Sequence, residues 1–126
     1  MEENKVKSKV NKKAIGIIVT VICIFSIFYL FNSNVSKRKA FDEIRASVYE
    51  EYRNNEDTKY WNINDNYEEK YIEINCHSYQ EYMTKDYFDE KGHKLYYQLK
   101  DKNITGFEIR FVIYKNDRLF HRYIYR

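Results

Sequence analysis

The chain has 126 residues, with 22 Lys and Arg against 19 Asp and Glu for a formal net charge of +3, and is 44% hydrophobic and 33% charged. With no proline, three glycines and fourteen tyrosines, it is too aromatic for a disordered tail and too proline-poor for an extended linker. One long apolar run apart, roughly 90 residues remain, which excludes a second domain and leaves a small one with much surface for its core.

The leader, residues 1–13, carries Lys5, Lys7, Lys9, Lys12 and Lys13 against Glu2 and Glu3. Residues 14–31 follow with no charge at all, their polar side chains being Thr20, Ser26 and Tyr29. As a helix this run reaches roughly 27 Å, close to one bilayer core, and it is apolar on every side. A transmembrane helix is predicted there. A cleaved secretory signal is the competing reading, but such signals have shorter apolar regions and end in a small-x-small site, whereas F-N-S-N-V-S-K follows here. Ile22 also stands where a lipoprotein cysteine at Cys23 needs a small residue before it. An uncleaved anchor is the reading favoured, with lipid as the partner of residues 14–31. Both flanks are basic, since Lys37, Arg38, Lys39 and Arg45 lie beyond the run. Lys12 and Lys13 abut it more closely, which predicts a cytoplasmic leader and an extracytoplasmic domain in the cell membrane.

Residues 32–57 read as a juxtamembrane amphipathic helix, in which Phe41, Ile44, Val48 and Tyr52 recur at helical spacing, ending near Arg53. Ser36 is a candidate cap, and Asn32 to Asn34 either continue or break the apolar helix. Residues 58–126 form the expected domain. Lys59 to Ile63 is a candidate strand, Asn64-Asp65-Asn66 a turn, and Tyr71 to His77 a strand burying Ile72, Ile74 and Cys76. Between Tyr79 and Lys102, Phe88, Gly92, Leu95 and Leu99 fit a helix capped by Thr84, with a hairpin turning at Gly92 as the alternative. Gly92 costs a helix about 1 kcal/mol relative to alanine, so it either weakens the helical reading or marks a close approach to the sheet. Phe107 to Tyr125 is a β-hairpin turning at Asn116-Asp117. A regular two-residue loop sets Ile113 against Phe120 and Arg110 against Tyr123, while a slip of one residue exchanges the faces. The fold class is α+β: one transmembrane helix, then a small domain of helix, strand, helix and C-terminal antiparallel hairpin. The layout resembles that of many small anchored bacterial proteins, an architectural likeness that does not transmit function.

Chemistry is sparsely signalled. Cys76 beside His77 suggests a thiol enzyme, yet adjacent strand residues point to opposite faces, so a buried small hydrophobe is the stronger reading. The three histidines are scattered without metal-ligand spacing, and no phosphate loop or nucleophile elbow occurs. Hence no catalytic residue, metal, cofactor or small-molecule substrate is predicted. Charge is more telling. Residues 41–90 hold fourteen acids and five bases, or −9, and residues 91–126 nine bases and three acids, or +6. The two halves either pair across the fold or leave a basic, aromatic patch on the hairpin. The candidate binding residues are Arg110, Tyr114, Arg118, Arg122, Tyr123, Tyr125 and Arg126. The favoured function is a non-catalytic module that binds a protein partner in an envelope assembly, with binding of an anionic polymer as the alternative.

Overall fold

A computed structural model describes the backbone of residues 2–126 and the side chains of residues 11–126. Lys5, Lys7 and Lys9 of the basic leader lie outside the described side chains. The chain divides into two compact units between Ser36 and Lys37.

Helix α1 (Glu2–Arg53) contains the apolar run. Residues from Asn11 onward include a segment long and apolar enough to cross a membrane, with none of that apolar window buried in the protein. Thr20 Oγ1 and Ser26 Oγ donate to the carbonyls of Gly16 and Ile22 at 2.8 Å, so both hydroxyls are satisfied within the helix. Asn32, Ser33 and Asn34 stay helical, and Ser36 stands inside α1 instead of capping a new helix.

In the second unit, α1 buries Phe41, Val48 and Tyr52, with Ala40 and Ile44 partly buried beside them. These positions repeat at the helical period, so one face of the helix meets the core. The helix ends at a polar turn, where the hydroxyl of buried Thr58 donates to the Tyr52 carbonyl at 2.7 Å and satisfies one of the groups a helix end orphans.

Four strands follow: β1 (Asn62–Asn66), β2 (Tyr71–Cys76), β3 (Glu108–Lys115) and β4 (Arg118–Tyr125), with helix α2 (Lys85–Asp101) between β2 and β3. They form one sheet in the order β1-β2-β3-β4. The β1–β2 and β3–β4 pairs are antiparallel and β2–β3 is parallel, so α2 serves as the crossover that a parallel pair requires. Ile72, Ile74, Cys76, Ile109, Phe111 and Ile113 are all buried and join Phe41, Trp61, Phe88, Leu95 and Leu99 in one core. Both helical segments of this unit therefore cover the same face of the sheet. The opposite face carries Asn64, Glu73, Asn75, Arg110 and Arg122.

The expected elements are present, with three corrections. The first strand begins at Asn62, not Lys59, and the predicted Asn64-Asp65-Asn66 turn lies within it. The turn falls at residues 67–70, because Asn66 Oδ1 accepts the Glu69 N–H at 2.9 Å and Lys70 takes a positive φ of 58°. Second, Thr84 occupies the N-cap position of α2 with extended backbone, but its side chain makes no cap hydrogen bond. Third, the hairpin turns at Asn116-Asp117 as expected, both at positive φ (52° and 60°) as a mirror-image tight turn needs, but the register breaks between Ile113 and Tyr114. Tyr114 pairs with Leu119 while Ile113 pairs with His121. Phe120 is thus the extra residue of a β-bulge, and every later residue of β4 has exchanged faces.

Helix α2 matches its pattern fully, burying Phe88, Gly92, Leu95 and Leu99, so the alternative hairpin is absent. A Cβ on Gly92 would lie 2.5 to 2.8 Å from Tyr125 ring carbons, so the position where the Tyr125 ring of β4 lies over α2 has room only for glycine. Its far end closes with Asn103 in the left-handed region, the Asn103 N–H donating to Lys100 O and the Ile104 N–H to Leu99 O, both at 2.9 Å. That geometry satisfies two terminal carbonyls and assigns Asn103 a structural role.

Candidate functional site

The bulge decides where the hairpin's candidate residues go. Arg110, Tyr114 and Arg122 occupy the polar face of the sheet, and Tyr123 and Tyr125 occupy the helix-covered face, paired with Phe111 and Ile109. Tyr123 stacks on Phe88 at 5.2 Å. Tyr125 donates its hydroxyl to Asp89 Oδ1 at 2.6 Å and lies beside Gly92. Both tyrosines hold β4 to α2, so the seven residues do not converge into one patch. This corrects the regular pairing of Arg110 with Tyr123: Arg110 faces Ile124.

The cations also separate into engaged and free. Arg110 sits 4.5 Å over the Tyr71 ring and 3.4 Å from Glu108, which Arg126 approaches at 3.7 Å. Elsewhere Arg38 pairs with Glu68, Arg45 with Asp65, Lys85 with Asp89, and Lys91 and Lys94 with Glu51. Of the acidic block these contacts engage Glu51, Asp65, Glu68 and Asp89, and only Glu51 pairs with cations of the basic half. On the hairpin, among the described residues, Lys115, Arg118 and Arg122 make no ion pair, Lys115 lying 5.4 Å over the Phe120 ring; Lys37, Lys39, Arg53, Lys70, Lys100 and Lys102 elsewhere in the domain make none either. Lys115, Arg118 and Arg122 cluster on the hairpin's outer half, beside the exposed Leu119, Phe120 and Ile124.

A groove of about 640 Å³ borders this hairpin, lined in part by His77, Tyr79, Gln80, Tyr82, Tyr114 and Lys115. It lies where the parallel strands β2 and β3 end, the position at which open sheets tend to hold ligands. His77 stacks on Tyr114 at 4.8 Å, and Tyr79 meets Phe120 at 5.4 Å. The loop beneath is fixed by Ser78 Oγ, which donates to the Asp57 carbonyl at 2.7 Å, by the Tyr82 hydroxyl on the Asp57 carboxylate, and by buried Met83. Of the sequence-derived candidates only Tyr114 lines it. The rest of the lining comes from Lys115 and Asn116 at the end of the hairpin's first strand and from a loop without periodicity, where the one available signal was the pair Tyr79 and Tyr82.

Cys76 is fully buried, with its thiol directed to the Ile74 carbonyl at 3.6 Å. Burial pushes its pKa far up, more than nearby Lys91 pulls it down, so the thiol stays protonated. His77 faces the other way, against Tyr114. The pair cannot exchange a proton, and the Cys76 nucleophile has no geometric basis. Tyr52 and Tyr87 are likewise raised by burial, which holds these phenols neutral around the Lys91 ammonium, 5.3 and 4.9 Å from their rings. Among the described residues, no group of three or more His, Cys, Asp or Glu side chains is placed to hold a metal ion. Comparison with known proteins found no matching family model, no matching curated protein and no matching solved structure.

Proposed function

We propose that this chain is a single-pass membrane-anchored protein whose extracytoplasmic domain, residues 37–126, works by binding a protein partner in an envelope assembly, with no chemistry of its own. The observation that carries the reading is a contrast of surfaces. The apolar segment of α1 offers lipid an uninterrupted hydrophobic exterior, and one hairpin of the domain sets three cations without an ion pair, Lys115, Arg118 and Arg122, beside exposed Leu119, Phe120 and Ile124. Exposed apolar side chains set beside unpaired charge are a common mark of an interaction surface.

The test is mild cross-linking of intact cells followed by purification of the full chain. A defined heteromeric adduct that disappears when Arg122 and Leu119 are both changed to serine supports the reading; recovery of the monomer alone overturns it. Orientation is read separately by placing a thiol at the exposed turn as Asp117→Cys in a Cys23→Ser background. A membrane-impermeant reagent labels that site on intact cells if the domain is outside, and only after lysis if it is inside.

The second reading, binding of an anionic polymer, is favoured by the same free Lys115, Arg118 and Arg122. Phosphate-type binding weakens steeply with salt, so an interaction insensitive to ionic strength removes it.

A further inference from the structure

β4 ends the sheet, and among the described residues no strand pairs with its outer side. Among the described residues, no further backbone hydrogen bond leaves it in that direction either. Such an edge is a template for another strand. Natural proteins blunt long edges with bulges and charge, and β4 has both, but unevenly. The bulge lies at Phe120, near the turn, and leaves His121 to Tyr125 as regular strand paired residue by residue with β3. On the polar face this run presents Arg122 and Ile124, and Arg126 follows in the same alternation. Arg122 has no ion-pair partner, Ile124 is 43% exposed, and no acid occurs from Arg118 to Arg126.

Resting on the reading of the domain as a partner-binding module, we infer that β4 accepts an extended segment of the partner as a fifth strand, one whose side chains run acid, aliphatic, acid at alternate positions. The two acids stand against Arg122 and against Arg126, whose side chain is 77% exposed and meets Glu108 only at 3.7 Å, and the aliphatic residue stands against Ile124. Backbone hydrogen bonds supply the adhesion, and the alternating side chains supply the selectivity.

A second copy of this chain is a poor occupant. Antiparallel pairing of two β4 strands centred on Arg122 sets Arg122 against itself and Arg118 against Arg126, and directly opposed like charges are destabilising. β1, the other edge, has its one acid, Asp65, already paired with Arg45. A polyanion would use the arginines but neither the free backbone edge nor Leu119, Phe120 and Ile124. The combination of all three selects a peptide.

The experiment uses the full chain in phosphatidylcholine nanodiscs and a synthetic peptide, Thr-Glu-Thr-Val-Thr-Glu-Thr. Binding is followed by fluorescence anisotropy and by hydrogen exchange of the β4 amides. The peptide is expected to bind and to slow exchange within His121 to Tyr125. N-methylation of its alternate amides is expected to abolish binding in one phase and spare it in the other. Exchanging its glutamates for lysines weakens binding by about ten-fold or more, and Arg122→Glu reverses that preference. Arg122 is exposed, so this variant folds, and unchanged thermal unfolding verifies it. The inference is overturned if both N-methylated phases bind like the parent, or if Arg122→Glu leaves the preference intact. It is also overturned if inorganic polyphosphate protects β4 where the peptide does not, or if the chain self-associates through β4. Should the peptide fail while cross-linking still captures a partner on another surface, strand addition is wrong and the binding-module reading stands. Should no partner be captured anywhere, the binding-module reading falls as well.

Discussion

Two stretches of α1 use the same kinds of side chain under opposite conditions. From Ala14 to Phe31, Ile, Val, Leu and Phe surround the helix, and Phe25 is 70% exposed. From Phe41 to Tyr52 the apolar residues are fewer and recur on one side, and Phe41 is 1% exposed. The difference lies in arrangement more than in hydrophobicity. A helix that packs on a sheet needs one apolar face and polar residues elsewhere, whereas one solvated by lipid needs an apolar surface all round. Periodicity therefore identifies which environment each stretch was built for.

The comparison is broken most severely in the core. Phe88 is fully buried and meets Trp61, Phe111 and Tyr123, so Phe88→Ala is expected to cost about 3–5 kcal/mol. Against a total of roughly 5–15 kcal/mol this leaves the domain close to unfolding, while membrane retention is unchanged. Chemical denaturation and membrane fractionation of the same variant check both halves. The converse change is Ile22→Arg, where a charge at the middle of the apolar segment disfavours insertion by about 2.5–3.5 kcal/mol. Retention should fall, and the denaturation midpoint of the domain should stay where it was.

Smaller effects sharpen the packed side. Gly92→Ala forces a methyl against the Tyr125 ring and is expected to destabilise by about 1–3 kcal/mol. The loss should shrink in the Tyr125→Ala background, because the ring that meets the methyl is then gone. A double-mutant cycle by thermal unfolding measures it. High pH acts more gradually. Burial raises the pKa of Cys76 above its ordinary 9.0, so the folded state keeps a proton that the unfolded state releases. The stability this group contributes is complete below pH 9.0 and is lost as pH rises past it, by about 1.4 kcal/mol for each pH unit. Tyr52, raised in the same way by burial, adds to the decline above its ordinary 10.0. Denaturation midpoints measured from pH 8 to 11 follow it, and Cys76→Ala should make the early part of the fall shallower.

Much of the fold was legible because its signals are local. Phe88, Gly92, Leu95 and Leu99 mark one face of α2, and Ile72, Ile74 and Cys76 one face of β2, with no knowledge of what covers them. Even the close approach at Gly92 was signalled by a glycine inside a helical pattern. β1 was misplaced because Asn64-Asp65-Asn66 has turn chemistry, and only pairing with Glu73, Ile72 and Tyr71 draws it into the sheet. The regular hairpin register failed for a related reason, and beyond Phe120 the strand takes the one-residue slip that was its alternative. Nothing in Leu119-Phe120-His121 announces a bulge, yet one extra residue moves Tyr123 and Tyr125 from a supposed binding face onto α2. The groove was the least legible feature, since it is assembled from the loop after β2 and the end of β3, which meet only in the folded sheet. Charge was legible in total but not in partition. Counting revealed an acidic and a basic half, and the ion pairs reveal which hairpin cations remain free.

The central claim is that Ala14 to Phe31 stays in lipid and tethers the domain. Membranes from cells expressing the chain are stripped with alkaline carbonate, floated through a density gradient, and the floated chain is mapped by mass spectrometry. A lipid-embedded run makes the chain float with the membranes and yield peptides covering Ala14 to Phe31. A chain released to the soluble fraction, with its first residue beyond Phe31, would contradict that claim.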